Sequence, residues 1–171
     1  MDNDKVKKPL PATKTKKLPP SSWFLAEVRV LSLLAALVFS IHYGGVAVYN
    51  LSGAACRPPR VLPCYKLTGA AAVGEAAGLE RAVLSCSAPQ GVAAALALVL
   101  AGRRPRGRRA LVFVALAAAG ANHWMYARLI GLARVGAPGD IFLGFETAAL
   151  FLVAGLDLLG FVAFLLGGHD E

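Results

Sequence analysis

The sequence predicts an all-α, four-helix transmembrane bundle with both termini cytoplasmic. Three observations predict it. Hydrophobic residues make up 57% of the 171 residues, against roughly 45–50% in an ordinary soluble domain. Charged residues make up 16%, against roughly 25%, and the mean hydropathy is +0.59. The apolar residues fall into long runs separated by stretches in which basic residues collect. Such a composition excludes a largely disordered chain, a disulfide-dense secreted scaffold and a typical cytosolic enzyme.

Residues 1–22 read as a disordered basic tail. It carries Lys5, Lys7, Lys8, Lys14, Lys16 and Lys17, and its prolines forbid a long helix. No small-residue cleavage site follows the first apolar run cleanly, and the tail lacks Arg but contains Asp2 and Asp4. Neither a signal peptide nor a transit peptide is therefore expected. The membrane domain is expected over 23–167, with a short polar tail at 168–171.

The first span is expected at about 28–49. Val30 to Tyr49 is twenty residues, enough to cross about 30 Å of hydrocarbon. Trp23 at one end, and Tyr43 and Tyr49 at the other, suit the aromatic belts. Residues 50–82 read as a loop, with a short surface helix within Thr68 to Leu79. The second span, about 83–102, contains Ser85, Ser87, Pro89, Gln90 and Gly91. A helix starting at Pro89 would be short and would need tilt or bilayer thinning. A tight basic turn, Arg103 to Arg109 with Pro105 and Gly107, leads to the third span at about 110–132. The turn Ala133 to Gly139 leads to the fourth, at about 140–167.

Charge sets the expected orientation. The tail and the basic turn together put eleven positive residues on one side; Arg57, Arg60, Lys66, Arg81 and Arg134 put five on the other. By the positive-inside bias, and with an even number of spans, both termini face the cytoplasm. The net charge of +8 is thus a topology signal and a contact for anionic lipid. No aromatic-interleaved groove or nucleic-acid motif accompanies it, so the partners expected are the lipid bilayer and other membrane proteins in a homo- or hetero-oligomer, not nucleic acid.

Cys56 and Cys64 fall in the outer loop, where a disulfide is permitted. They pair with each other, Cys86 competes, or all three thiols stay reduced. Asn50-Leu51-Ser52 fits the glycosylation sequon, with Asn50 at the membrane edge where access is poor. No Cys/His spacing matches a metal site, no cofactor motif is present, and neither a Gly-rich phosphate loop nor an HExxH or GxSxG motif points to catalysis. No enzyme activity is expected.

Polar residues inside the spans carry the most information, because a charge in hydrocarbon costs several kcal/mol. At 1.5 Å per residue, Asp157 lies about 15 Å from the inner end of the fourth helix and Asn122 about 18 Å from that of the third. His42 falls at a similar depth and His123 adjoins Asn122. The expected buried polar cluster is therefore His42, Asn122, His123 and Asp157. Arg128 and Glu146, near the outer ends of two antiparallel helices, are expected to form an interhelical ion pair. Glu146 and Asp157 are eleven residues apart, so they share a face. The cluster reads as hydrogen-bonding glue between helices, or as a proton relay. Ala117 to Ala121 and Gly44-Gly45 make smooth surfaces for close helix approach, within one bundle or between subunits.

The layout resembles the plant Casparian strip membrane protein-like family, a MARVEL-related four-span family. Phe145-Glu146-Thr147-Ala148 is similar to a stretch at the start of the fourth span of some members, and Arg29 stands where the first helix of the family carries an arginine. The family's third-helix aspartate is replaced by Asn122 and His123, and the acid stands instead at Asp157. The resemblance implies a plasma-membrane scaffold that self-associates, with an endomembrane location as the alternative. A small transporter or an accessory subunit of one, with His42, His123, Glu146 and Asp157 in a proton path, is the second reading. A membrane enzyme subunit acting on lipids is the third.

Overall fold

A computed structural model describes residues 20–52, 69–101 and 107–166. Among them are four α-helices and no strand: α1 (Pro20–Leu51), α2 (Ala70–Val99), α3 (Arg108–Gly136) and α4 (Ile141–Leu166). Each is long and apolar enough to cross a membrane. The basic tail, Cys56, Cys64 and the turn arginines Arg103, Arg104 and Arg106 lie outside the described residues.

Each helix packs on its sequence neighbour, α4 closes back on α1, and α1 meets α3 across the diagonal. Neighbours are antiparallel: Ser32 of α1 meets Leu156 of α4, whereas His42 further along α1 meets Glu146 near the start of α4. Gly107, at φ 102° immediately before α3, takes a left-handed conformation that a side chain would resist.

The second helix differs most from expectation. It starts at Ala70 rather than near 83, so the anticipated surface helix forms the first turns of α2 itself. Pro89 lies inside it rather than at its start. The proline removes one backbone donor, but it sits on the exposed face. Its neighbours Ser87 and Gln90 are buried and bonded on the other side.

The core has two apolar halves. One contains Tyr43, Val46, Val83, Met125, Tyr126, Leu129, Ile130 and Leu143. The other is alanine-rich, with Leu33, Ala36, Ala94, Ala97, Val112, Ala115, Leu116 and Ala119. Between them on every helix lies a buried polar residue: Ser40 on α1, Ser87 and Gln90 on α2, Asn122 and His123 on α3, and Asp157 on α4. Close approach sharpens this layer. A Cβ on Gly91 would lie 2.6 Å from Ser40 Oγ, and one on Gly160 would collide with Ser32. Ser32 Oγ in turn lies between the carbonyls of Val28 (2.9 Å) and Leu156 (2.8 Å).

Candidate functional site

Two hydrogen-bonded trios link α1, α3 and α4. In the first, His123 Nε2 lies 2.8 Å from Asp157 Oδ2, and His123 Nδ1 lies 3.0 Å from Tyr43 Oη. All three residues are buried, Tyr43 to 1% exposure. With Asp157 ionised, the self-consistent assignment is a one-way chain. The Tyr43 hydroxyl donates to Nδ1, and the Nε2–H donates to the carboxylate, with no donor left over. In the second trio, His42 Nε2 lies 3.0 Å from Glu146 Oε2, and the Tyr126 hydroxyl donates to the same oxygen at 2.8 Å. Here the imidazole is 31% exposed and the carboxylate 14%. The Tyr43 and Tyr126 rings stack at 4.4 Å between centroids, which joins the trios.

The expected cluster of His42, Asn122, His123 and Asp157 is thus divided. His123 and Asp157 meet; His42 belongs with Glu146. Asn122 points elsewhere, donating to Gln90 Oε1 at 2.5 Å and to Ser87 Oγ at 3.3 Å. Gln90 donates in turn to the Ala36 carbonyl at 2.7 Å, which ties α3 through α2 to α1. Adjacent helical residues are about 100° apart, so Asn122 faces α2 while His123 faces α1 and α4.

The expected Arg128–Glu146 pair is corrected. Arg128 donates to Glu75 Oε1 at 2.6 Å, and Glu146 turns inward to His42 and Tyr126. Two reasons combine. Tyr126 and Arg128 are two residues apart and so about 200° around the helix, and they cannot both face α4. The longer α2 also brings Glu75 alongside α3. Tyr43, read as a belt residue, is a core residue instead. Asn50 lies in the last turn of α1 with its Nδ2 buried and without a partner among the described residues.

Sequence reasoning missed Tyr43, Tyr126, Gln90 and Ser87. Tyr126 carried a usable signal: it is three residues from His123 and so on the same face. Gln90 carried none, because beside Pro89 it read as a defect in a span.

The arrangement can fix helix register, and it can hold a proton at His123 or His42. Among the described residues no three His, Cys, Asp or Glu side chains converge to hold a metal. Two atoms of the polar layer, Asp157 Oδ1 and Asn122 Oδ1, are buried without a hydrogen bond among the described residues. Asp157 and His123 form the floor of a groove between α3 and α4, about 460 Å³ in volume, whose walls include Ala117, Gly120, Ala154 and Phe161.

Four long apolar helices around a buried polar layer are the build of a multi-pass integral membrane protein. A comparison of the chain with protein-family models, with curated proteins and with solved structures returns no match.

Proposed function

We infer that this protein is a non-enzymatic membrane scaffold, with both termini in the cytoplasm, that associates with further copies of itself or with other membrane proteins, most readily at the plasma membrane. The observation that carries the reading is the placement of glycine. Gly91 and Gly160 are needed inside the bundle, where a side chain would strike α1. Gly120, Gly131, Gly144 and Gly155 are not: they lie exposed on α3 and α4 with open space where a Cβ would stand. In hydrocarbon there is little hydrophobic drive between helices, and small residues promote association by letting backbones approach. Outward glycines that the bundle does not use suit a second helix.

The polar layer supports the same reading. Its groups are bonded from helix to helix and lie between two packed apolar halves. Chemical crosslinking in native membranes, followed by mass spectrometry, tests the proposal. Self-crosslinks through α3 or α4 are expected. Capture of a larger transporter or a lipid-modifying enzyme, without self-crosslinks, would make the chain a subunit instead.

One observation favours a transport accessory as the second reading: the paired trios place two imidazoles, two carboxylates and two phenols in one connected array. That reading requires pH-driven flux in reconstituted vesicles that Asp157→Asn abolishes. Flux unaltered by Asp157→Asn overturns it.

A further inference from the structure

The groove between α3 and α4, about 460 Å³ in volume, has a polar floor that the bundle leaves incomplete. We propose that this groove binds a protonated lipophilic amine, with its ammonium group on Asp157 and its apolar body along the walls.

The trio that supplies the floor carries a charge it does not balance. His123 donates its Nε2–H to Asp157 Oδ2 and accepts the Tyr43 hydroxyl at Nδ1. The imidazole is then neutral and the carboxylate keeps its charge. Asp157 Oδ1 is buried without a hydrogen bond among the described residues. Asp157 as a whole is 4% exposed, and an incompletely paired carboxylate is costly at that depth in a membrane. Among the described residues no Lys or Arg lines the groove. A ligand that meets both needs brings a hydrogen-bond donor and a positive charge. A hydroxyl brings only the first.

The walls call for an apolar body. Phe113 and Phe161 close on each other at 6.2 Å between ring centroids. Phe161 is four residues from Asp157 and so on the same face of α4, where an aromatic ring also favours a cation. Between the two helices Ala117, Gly120 and Ala154 keep the groove open, and a Cβ at Gly120 would meet nothing within 4 Å. Phe113, Ala117, Gly120 and Leu158 are exposed, so in a bilayer the groove opens sideways to lipid. The volume falls in the range of small-molecule sites, roughly 300–1,000 Å³. A bare metal ion has no use for such walls, and no three His, Cys, Asp or Glu side chains converge among the described residues. Of the outward glycines only Gly120 lines the groove, so the inference does not rest on self-association.

Photolabelling of the full chain in phosphatidylcholine vesicles is the test. Two probes share one dodecyl chain with a diazirine; one ends in a primary amine, the other in an alcohol, and both are used at equal membrane concentration. The amine should label Phe113, Ala117 and Leu158, as mapped by mass spectrometry, and unlabelled dodecylamine should compete it away. The alcohol should label them about tenfold less. Asp157→Asn should weaken amine labelling about tenfold or more, as expected for losing a charge-assisted bond. Ala117→Phe fills the groove but keeps the carboxylate, and should weaken labelling as well; it carries the test if Asp157→Asn does not fold. Glu75→Gln, at an exposed carboxylate outside the groove, should leave labelling unchanged. Equal labelling by amine and alcohol overturns the proposal, as does amine labelling that either folded groove variant leaves unchanged. A groove that the amine does not label overturns it too, and crosslinks joining the grooves of two copies would then assign it to a second copy.

Discussion

Tyr43 of α1 and Tyr126 of α3 stack across the bundle diagonal, 4.4 Å between ring centroids and 32° between planes. Each hydroxyl bonds into a different histidine–carboxylate pair, Tyr43 at His123 and Tyr126 at Glu146. Because both carboxylates come from α4, this ring pair sets the register of three helices at once. In a bundle with little hydrophobic drive between helices, such contacts fix the arrangement more than apolar burial does.

Removing one partner of the buried pair should cost more than neutralising it. His123→Ala takes from the buried Asp157 carboxylate its hydrogen-bond donor, and should destabilise the bundle by about 1–3 kcal/mol. Asp157→Asn keeps a hydrogen-bonding group of the same shape, and a loss of about 0.6 kcal/mol is expected. Equilibrium unfolding in bicelles measures both. Equal costs would mean that the pair is not closed as described.

Glycines should divide by what their missing side chain would meet. At Gly160 an added methyl strikes Ser32, which is itself held between two carbonyls. Gly160→Ala should therefore cost about 1–3 kcal/mol. Gly91→Ala should cost less, because only the end of the Ser40 side chain must turn away. Gly120→Ala meets open space and should stay within about 0.5 kcal/mol for the single bundle. The same unfolding measurement ranks the three.

The Arg128–Glu75 bridge is half exposed, so it should contribute no more than about 1 kcal/mol. Arg128→Glu should lower stability slightly. Adding Glu75→Arg should restore it, and adding Glu146→Arg should not. Recovery with Glu146→Arg instead would return Arg128 to the fourth helix.

Gln90→Leu tests the opposite side of the layer. It deprives the Asn122 amide of its 2.5 Å acceptor and the Ala36 carbonyl of its side-chain donor. A loss of about 1–3 kcal/mol is expected, the cost of a buried group left unbonded. Thermal unfolding that is unchanged in this variant would place Asn122 outside the polar layer.

The helices were legible because their cause is legible: about twenty apolar residues in a row can do little but cross a membrane. Residues 70–82 were not, since alanine and glycine there give no clear amphipathic face, and Glu75, Glu80 and Arg81 interrupt the apolar pattern. Packing decides that segment, where Ala76 and Glu80 are buried. That Asp157 falls level with residues 122–123 of α3 followed from helical rise alone; that His123 and not Asn122 meets it did not. Which face each neighbour presents did not. One residue of rotation separates Asn122, bonded to α2, from His123, bonded to α4, and two separate Tyr126 from Arg128. Pairing therefore depended on helix order around the bundle, which connectivity does not specify.

Energy transfer between donor- and acceptor-labelled copies in vesicles, followed as lipid is added, tests self-association most directly. Transfer should persist well beyond the dilution that ends random collisions. Gly120→Leu should abolish it while leaving helix content unchanged. Transfer by the wild-type chain that falls at every dilution as random collision requires would contradict a self-associating scaffold.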